Sequence, residues 1–444
     1  MADQSIIRVT REVYELRKNG DLSIAAECRE TNLRHIRALI VGPPDTPYEF
    51  GFFEFFLKFG KDYPTKAPSV NAVTTNGGCT RFNPNIYASG KVCLSILGTW
   101  RGERGEEWSS AQGLESILIS IQSLMSGNPY ENEPGFEQQK SEDDKKNAKL
   151  YVDKIRHESL RISVIGRMED YLEMNKGATK MVSSDHSSHS SEDLAYDLDG
   201  EIFEPFKDKC KLRFLWYYDS YQETVAREAE KYKEGAKFER MPFEGHGNQM
   251  DGTFQYLDLQ RRLTAIKEKM DEEIKSWADE GLRAVQREAG IAAKVKRQYE
   301  QSVQHFAGQG DLALDLELVD DNPFVWRMTL VGRHLTNLDG GIISIEMCIS
   351  PRFPMEQPRV RVETPLFHHR ISSTGQLCYL HDGSEDLATH VQAIINAIED
   401  DDPGYDPRTT VNPEASRLLW GSETDKKNYN RRLRRSVQDS LEYC

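Results

Sequence analysis

The feature that most constrains how this chain can fold is an internal repeat. One set of residues recurs 290 positions later, and a second set recurs 285 positions later. The first set pairs Gly42, Thr46, Gly51, Pro64, Pro68 and Val70 with Gly332, Thr336, Gly341, Pro354, Pro358 and Val360. The second set pairs Phe82, Gly90 and Cys93 with Phe367, Gly375 and Cys378. A single deletion aligns the two copies, so we interpret the chain as a tandem duplication of one folding unit.

Each copy has the pattern of an α+β domain. In the first copy, apolar residues spaced near 3.6 predict a helix over residues 6–18, and a second apolar helix follows near 114–125. Between them, β-branched and aromatic segments bounded by turn signals predict strands: 33–41, 52–59 and 69–74. The second copy repeats this order, with a helix near 292–304, strands near 312–319, 324–331 and 342–348, and helices after Leu387 and Pro413. We therefore predict an N-terminal helix, a four-stranded antiparallel meander and C-terminal helices in each copy.

The residues between the two copies predict a linker and a helical extension. Residues 183–191 are polar and low in complexity, which favours a flexible linker. Farther on, apolar residues form one stripe at helical spacing: Leu259, Leu263, Ile266, Met270, Ile274 and Trp277. Packing against a neighbouring domain is the simpler interpretation of this stripe, and a partner-binding helix is the alternative. The predicted division is a first domain (1–175), a linker (176–200), a helical extension (201–278) and a second, diverged domain (279–444).

Composition narrows the functional class. The chain has 72 acidic and 57 basic residues, so its formal net charge is -15, which argues against binding to a nucleic-acid backbone. No apolar segment approaches the roughly 20 residues of a membrane-spanning helix, and the first residues lack the features of a secretory signal. The seven cysteines form no C-x-x-C pair, so neither a disulfide framework nor a metal site is expected. We expect a soluble, intracellular protein in which at least one cysteine is a reactive thiol.

The segment around the first repeated cysteine carries the clearest functional signal. It reads RFNPNIYASGKVCLSIL over residues 81–97, and Asn85 precedes Cys93 by eight residues. A thiol can hold an acyl group as a thioester, which stays reactive toward amines. The segment resembles the active site of the ubiquitin-conjugating enzyme family, in which His-Pro-Asn is followed, eight residues after the Asn, by the acceptor cysteine. Asn83 stands where the family has the histidine. Further matches extend the resemblance over most of residues 1–165: GPPDTPYE at 42–49, Tyr63-Pro64, Pro68 and Trp108-Ser109.

The resemblance implies roles for four residues of the first copy. Cys93 is the implied acceptor. Asn85 is implied either to stabilise the oxyanion that forms when an amine attacks or to brace the loop. Tyr87 is implied to line the approach of the substrate lysine, and Glu133 to stand at an acidic gate that orients the incoming amine. The simpler interpretations are a buried apolar thiol for Cys93 and a turn residue for Asn85.

The second copy keeps the cysteine but loses its neighbours. Residues 367–380 read FHHRISSTGQLCYL, with His368 at the histidine position and Cys378 at the cysteine position. Arg370 replaces the asparagine and His369 replaces the proline. An arginine can stabilise an oxyanion, so Cys378 stays a candidate second acceptor. A degenerate, inactive copy with a buried thiol is the favoured interpretation.

Together these features predict a tandem ubiquitin-conjugating enzyme. Its first domain is expected to receive ubiquitin from a ubiquitin-activating enzyme on Cys93 and to pass it to lysines of protein substrates or to a ubiquitin ligase. The second domain is expected to regulate or recruit. ATP is consumed by the activating enzyme, and no cofactor or metal is expected on this chain.

Two alternatives stay open. One is conjugation of another modifier such as SUMO, because the sequence CLSIL at residues 93–97 also occurs in SUMO-conjugating enzymes. The other is a non-catalytic ubiquitin-binding scaffold. In each case neither nucleic acid nor a membrane is an expected partner. The expected compartment is the cytoplasm, and the resemblance also allows the nucleus.

Overall fold

The computed structural model describes residues 3–102, 105–138, 141–174, 203–245, 250–308, 313–381 and 385–441. Contacts divide the chain into two units, which are described separately below. The first comprises Met1–Lys207 and Val225–Leu263, and the second comprises Asp208–Thr224 and Thr264–Cys444. The contacts thus divide the predicted helical extension between the two units. The whole of the predicted linker, 176–200, lies outside the described residues.

The first unit is built on a four-stranded antiparallel sheet. Its strands follow the chain order: β1 (Ile24–Arg29), β2 (Asn32–Val41), β3 (Phe52–Lys58) and β4 (Ser69–Ala72). The register pairs Ile36 with Leu57 and Leu57 with Val70, so these apolar side chains share one face of the sheet. All three belong to the hydrophobic core. The predicted meander is confirmed, and β1 is a strand that the sequence patterns did not single out.

Three helices contribute side chains to the core on one face of this sheet, and a fourth follows them along the chain. They are α1 (Gln4–Asn19), α2 (Leu114–Leu124), α3 (Glu142–Glu158) and α4 (Arg167–Tyr171). The Asp3 side chain caps the first turn of α1, and Gly20 ends the helix with a positive φ of 60°. Between α3 and α4 the chain runs through a π-helical segment, Ser159–Gly166. The two predicted helices of this copy are therefore confirmed as α1 and α2.

One carboxylate joins α1 to the loops that follow the sheet. Glu12 accepts a hydrogen bond from the Tyr63 hydroxyl at 2.6 Å and another from the backbone N–H of Leu114 at 3.0 Å. Arg8 pairs with the second oxygen of the same carboxylate at 2.7 Å. Trp108 in turn donates its indole N–H to the carbonyl oxygen of Pro64 at 2.8 Å. These bonds fix the loop after β3 and the start of α2 against α1.

The first unit also includes residues of the predicted extension. His157 on α3 is fully buried, and its Nε2 accepts a hydrogen bond from the backbone N–H of Gln255 at 3.0 Å. The rings of Phe238, Phe254 and Tyr256 surround this imidazole with centroid distances of 5.1–5.6 Å. Residues 225–263 therefore share the core of the first unit instead of forming a separate module.

Two long helices follow along the chain, α5 (Lys207–Ala229) and α6 (Tyr256–Gln286). The apolar stripe of α6 is buried: Leu259, Leu263 and Ile266 have no exposed surface, and Met270 and Trp277 have almost none. In the second unit, Trp277 packs with Val325 and Cys348 on the outer face of the sheet. For the Trp277 end of the stripe, the simpler interpretation, packing against a neighbouring domain, is confirmed. No helix in the described ranges combines the length and apolarity needed to span a membrane.

The second unit repeats the architecture of the first. Its sheet has the order β5 (Leu314–Leu318), β6 (Val325–Val331), β7 (Ile342–Cys348) and β8 (Arg359–Val362), again antiparallel. Its helices are α7 (Gly290–Ala307), α8 (Leu387–Glu399), α9 (Pro413–Leu419) and α10 (Glu423–Ser440), together with the residues of α5 and α6 named above. The prediction of an α+β fold with two units of one topology is confirmed.

The β2–β3 connection and the β6–β7 connection each begin with a glycine, and in both the backbone farther along the connection comes very close to it. A Cβ added to Gly42 would lie 1.8 Å from the carbonyl oxygen of Tyr48, and one added to Gly332 would lie 1.8 Å from that of Leu338. Both glycines also bond across the connection, Gly42 N–H to Gly51 O at 2.8 Å and Gly332 N–H to Gly341 O at 2.9 Å. Glycine therefore recurs here because the backbone leaves no room for a side chain.

We expect Gly42→Ala to lower the free energy of unfolding by about 2–4 kcal/mol, because the connection must move to admit a methyl group. Gly60→Ala is the matched control, since the nearest atom to a Cβ there lies at 3.9 Å. That substitution should change the unfolding free energy by no more than about 0.5 kcal/mol. Urea unfolding of the two variants measures the difference, and equal effects would contradict the steric explanation.

Candidate active site

The loop that carries Cys93 is folded by its own backbone. Ile86 pairs with Asn83 on one side and with Val92 on the other, so the chain doubles back between them. Gly90 makes the turn with a φ of 88°. The loop is then fixed to the sheet, because the backbone N–H of Ala72 on β4 donates to the carbonyl oxygen of Gly90 at 2.7 Å.

This fold places Asn85 directly beside Cys93. The backbone N–H of Cys93 donates to the carbonyl oxygen of Asn85 at 2.8 Å. The side-chain Nδ2 of Asn85 donates in return to the carbonyl oxygen of Cys93 at 3.0 Å. That bond uses one of the two protons of the amide nitrogen. The arrangement braces the loop and holds a hydrogen-bond donor next to the backbone of the cysteine.

Cys93 itself is largely buried, with 3% of its surface exposed. It lies between the exposed Lys91 and the half-buried Leu94. After it, Thr99 accepts a hydrogen bond from the Leu94 N–H at 3.0 Å and donates to the carbonyl oxygen of Val92 at 2.7 Å. These bonds fold the segment that follows Cys93 into a tight turn.

Asn83, at the family's histidine position, has a supporting role in the structure. It is fully buried, and its Oδ1 accepts a hydrogen bond from the backbone N–H of Asn85 at 2.9 Å. Its Nδ2 donates to the carbonyl oxygen of Leu124 at 2.8 Å and to the Tyr48 hydroxyl at 3.1 Å. Burial raises the pKa of Tyr48, which keeps this phenol neutral. Asn83 thus connects the cysteine loop to α2 without any ionisable group of its own.

Glu133 and Tyr87 both contact Arg81, a residue that the sequence patterns did not single out. The guanidinium of Arg81 pairs with Glu133 at 3.1 Å, and its Cζ lies 4.5 Å from the centroid of the Tyr87 ring. Its Nη2 also donates to the carbonyl oxygen of Pro84 at 2.5 Å. An arginine between Thr80 and Phe82 gives no sequence signal of this role, because its charged partner, Glu133, lies 52 residues away in the chain. The two predicted gate residues are therefore brought together, and Arg81 joins them.

The second copy has the same backbone and different side chains. The Cys378 N–H donates to the carbonyl oxygen of Arg370 at 2.8 Å, the counterpart of the bond between Cys93 and Asn85. The Arg370 N–H donates to Nδ1 of His368 at 3.1 Å, the counterpart of the bond to Asn83. Leu366 and Ser372 occupy the positions that correspond to Arg81 and Tyr87.

Cys378 lies beneath the part of α5 that belongs to the second unit. Tyr217 donates its hydroxyl to the carbonyl oxygen of Arg408 at 2.7 Å. Asp219 accepts from the backbone N–H of Ser373 at 2.6 Å and from its hydroxyl at 2.8 Å. Cys378 has no exposed surface, and this burial raises the pKa of its thiol to about 11, although Arg370 and Arg213 oppose the rise. A thiol in this state is neutral and inaccessible at neutral pH.

The two histidines of the second loop are also held neutral. Burial lowers the pKa of His368 to about 3, and the positive charge of Arg370 lowers it further. His369 is buried beside it and its pKa is lowered for the same reason. In the described part of the chain, no group of three or more His, Cys, Asp or Glu residues is placed to hold a metal ion.

Comparison with known proteins identifies relatives of both copies. The ubiquitin-conjugating enzyme family model matches residues 8–159 and 294–436. Ubiquitin-conjugating enzyme E2 Z of Homo sapiens is 37% identical over 273 residues, which cover 62% of this chain and 66% of that protein. The dual E2 ubiquitin-conjugating enzyme/E3 ubiquitin-protein ligase BIRC6 of Homo sapiens is 49% identical over 117 residues, 26% of this chain and 2% of that protein.

Among solved structures, human ubiquitin-conjugating enzyme E2 G1 has 33% sequence identity and a TM-score of 0.25, with coverage of 28% of this chain and 97% of that chain. The similarity to the human and rat E2 Z proteins covers 66% and 65% of their respective lengths. The relatives therefore include sequence beyond the part that this chain matches.

The buried His368 predicts an acid-sensitive second unit. Its folded pKa of about 3 lies below its ordinary value of 6.5, so the unfolded chain takes up this proton first as the pH falls. Stability is then lost progressively between about pH 6.5 and pH 3, at up to about 1.4 kcal/mol per pH unit for this residue.

His368→Asn installs the residue that the first copy uses at the same place. We expect its free energy of unfolding to depend less steeply on pH between 6 and 4 than that of the wild type. Urea unfolding at several pH values measures the slope. His334→Asn, at a side chain 81% exposed, is the control and should keep the wild-type slope. An unchanged slope in His368→Asn would contradict the assignment.

Proposed function

Because this chain belongs to the ubiquitin-conjugating enzyme family, we propose that its first unit accepts ubiquitin from an activating enzyme as a thioester on Cys93. The modifier then passes to a lysine of a protein substrate or to a ubiquitin ligase. The observation that carries the proposal is the pairing of Asn85 with Cys93, in which each residue donates a hydrogen bond to the backbone carbonyl oxygen of the other.

Charging is a thioester exchange. The Cys93 thiolate attacks the carbonyl carbon of the ubiquitin thioester on the activating enzyme and forms a new C–S bond. The old C–S bond breaks, and the activating enzyme's cysteine leaves as a thiolate that takes up a proton. The reaction is close to energetically neutral because one thioester replaces another, so ATP is needed only upstream, by the activating enzyme. No bound cofactor is required on this chain.

Transfer needs help at two points. When a lysine amine attacks, negative charge develops on the carbonyl oxygen, and a positioned amide such as Asn85 can stabilise it. Loss of such a donor typically costs about 100- to 1000-fold in rate. The attacking nitrogen must also be neutral and must lose a second proton as the C–N bond forms and the C–S bond breaks. A carboxylate such as Glu133 can orient the amine, and the departing thiolate of Cys93 can take the proton.

We propose that the second unit carries no modifier. The burial of Cys378 beneath α5, the raised pKa of its thiol and the replacement of Asn85 by Arg370 all support this assignment. A regulatory or recruiting role is what remains for a unit that keeps the fold and hides the thiol. The partners implied for the whole protein are ubiquitin, an activating enzyme, ligases and protein substrates.

The charging experiment uses the full chain with ATP, ubiquitin and a ubiquitin-activating enzyme. We expect an adduct that reductant removes, that Cys93→Ser abolishes and that Cys378→Ser retains. Non-reducing gels with and without reductant read the result. An adduct that depends on Cys378 would reverse the assignment. If ubiquitin gives no adduct, SUMO and its activating enzyme test the other modifier, and failure with both favours the scaffold.

The sealed state of Cys378 is tested by alkylation. At pH 8 a thiol with a pKa near 11 is ionised in only about one molecule in a thousand, so iodoacetamide should label Cys378 far more slowly than the exposed Cys79. Peptide mass spectrometry of the native full chain measures both rates. Tyr217→Ala, which removes a covering ring, should accelerate labelling of Cys378 and leave Cys79 unchanged. Comparable labelling of the two cysteines in the wild type would contradict the closed second site.

A further inference from the structure

We propose that Arg81 is a positioning residue for lysine transfer: it holds Glu133 and Tyr87 in the arrangement that receives the substrate amine. The inference rests on the proposed function of the first unit. It goes beyond that function because it assigns the construction of the gate to a residue outside the family motif.

The first argument is the number of elements that one guanidinium connects. Arg81 precedes the Asn83–Asn85 turn, and its Nη2 bonds to the carbonyl oxygen of Pro84 within that turn. The same Nη2 bonds to Glu133, which ends the short helical turn Pro129–Asn132. The guanidinium carbon also lies over the ring of Tyr87, 4.5 Å from its centroid. No other hydrogen bond or ring contact described here joins these three segments through a single side chain.

The second argument is burial. The side chain of Arg81 is 6% exposed and that of Glu133 is 22% exposed, so the ion pair is shielded from solvent on the arginine side. Among the described residues, Nε of Arg81 has no hydrogen-bond partner although it is buried. Leaving such a donor unpaired is costly, and burying an arginine costs more unless its charge is matched. The buried guanidinium of Arg81 therefore depends on three contacts together: the carboxylate of Glu133, the carbonyl oxygen of Pro84 and the ring of Tyr87.

The third argument is the backbone of Glu133. Its neighbour Asn132 donates from Nδ2 to the carbonyl oxygen of Leu124 at 3.0 Å and to Oδ1 of Asn83 at 3.3 Å. The main chain of the gate is therefore fixed to the residue that also supports Asn85. Arg81 then fixes the carboxylate itself. The backbone next to Glu133 is held by the bond between Asn132 and Asn83, and its side chain is held by the ion pair with Arg81. Asn83 and Arg81 both belong to the segment that carries Cys93.

The second copy supplies an internal comparison. It keeps the backbone bonds of the loop, yet Leu366 replaces Arg81, Ser372 replaces Tyr87 and Arg370 replaces Asn85. The loop therefore does not need an arginine at this position in order to fold. Within this chain, the arginine occurs in the copy that also has the tyrosine and the asparagine.

A consequence for transfer follows from this geometry. Without Arg81, the carboxylate of Glu133 and the ring of Tyr87 are free to adopt other rotamers, and an incoming amine meets a less ordered surface. Errors of about 1 Å in such positioning can cost on the order of 100-fold in rate. Thioester exchange with the activating enzyme has no amine to orient, so charging should not depend on Arg81.

The test separates charging from discharge in the full chain. Each protein is charged with ubiquitin by the activating enzyme, ATP is removed, and free lysine is added over a range of concentrations. The variants are Arg81→Gln, Arg81→Lys, Glu133→Gln and the double variant Arg81→Gln/Glu133→Gln. Arg240→Gln is the matched control, because it removes an exposed arginine that pairs with Asp251 at 3.2 Å.

We expect all variants to charge within about twofold of the wild type, and Arg81→Gln to discharge to lysine about tenfold more slowly. Glu133→Gln should show a similar loss, and the double variant should lose less than the product of the two single losses, because part of the effect of Arg81 runs through Glu133. Arg81→Lys, which keeps the positive charge, should recover part of the rate. Arg240→Gln should match the wild type in both steps.

Three results would overturn the proposal. The first is discharge of Arg81→Gln at the wild-type rate. The second is a double variant whose loss is the product of the two single losses, because Arg81 would then act independently of Glu133. The third is an Arg81→Gln variant that loses charging to the same extent as discharge, because such a loss indicates a general structural role. If Arg81→Gln does not fold, Arg81→Lys and Glu133→Gln are compared with the wild type in the same two steps. A wild type that ubiquitin does not charge would instead reject the proposed function, and this inference with it.

Discussion

The candidate site depends on one backbone hydrogen bond that closes an eight-residue loop. In the first unit it runs from the Cys93 N–H to the carbonyl oxygen of Asn85, and in the second from the Cys378 N–H to that of Arg370, both at 2.8 Å. A bond over this separation forces the intervening chain to turn back, which Gly90 and Gly375 allow with their positive φ angles. The position of the cysteine is therefore a property of the main chain, and side chains can change around it while the loop keeps its shape.

This separation of backbone from side chains explains how two copies of one fold can differ in chemistry. In the first unit the groups around the cysteine are an amide, an ion pair and a tyrosine. In the second, buried imidazoles and a helix surround the thiol, and their burial keeps these groups neutral. A charged intermediate is stabilised by polar groups that are already positioned beside it. The same loop thus places its cysteine among different groups in the two units.

The sequence predicts those features that arise from local patterns. The helical periodicity around Val9 and Val13, the strand alternation around Phe53 and Phe55 and the spacing of Asn85 and Cys93 all reflect contacts within short segments. Strand β1 was missed because Ala25, Ala26 and Glu27 give a weak strand signal that only pairing with β2 makes favourable. The ion pair of Arg81 and Glu133 and the covering of Cys378 by α5 join residues far apart in the chain, and no local pattern reports such contacts.

The exchange of asparagine for histidine at the start of the loop has a consequence for how such sites are recognised. Asn83 and His368 both accept the backbone N–H two residues later, so either residue satisfies the fold. A motif search that demands histidine at this position would pass over the first unit and select the second, whose thiol is sealed. The residue two positions later separates the two loops better than the histidine position does, because it is asparagine in the first unit and arginine in the second.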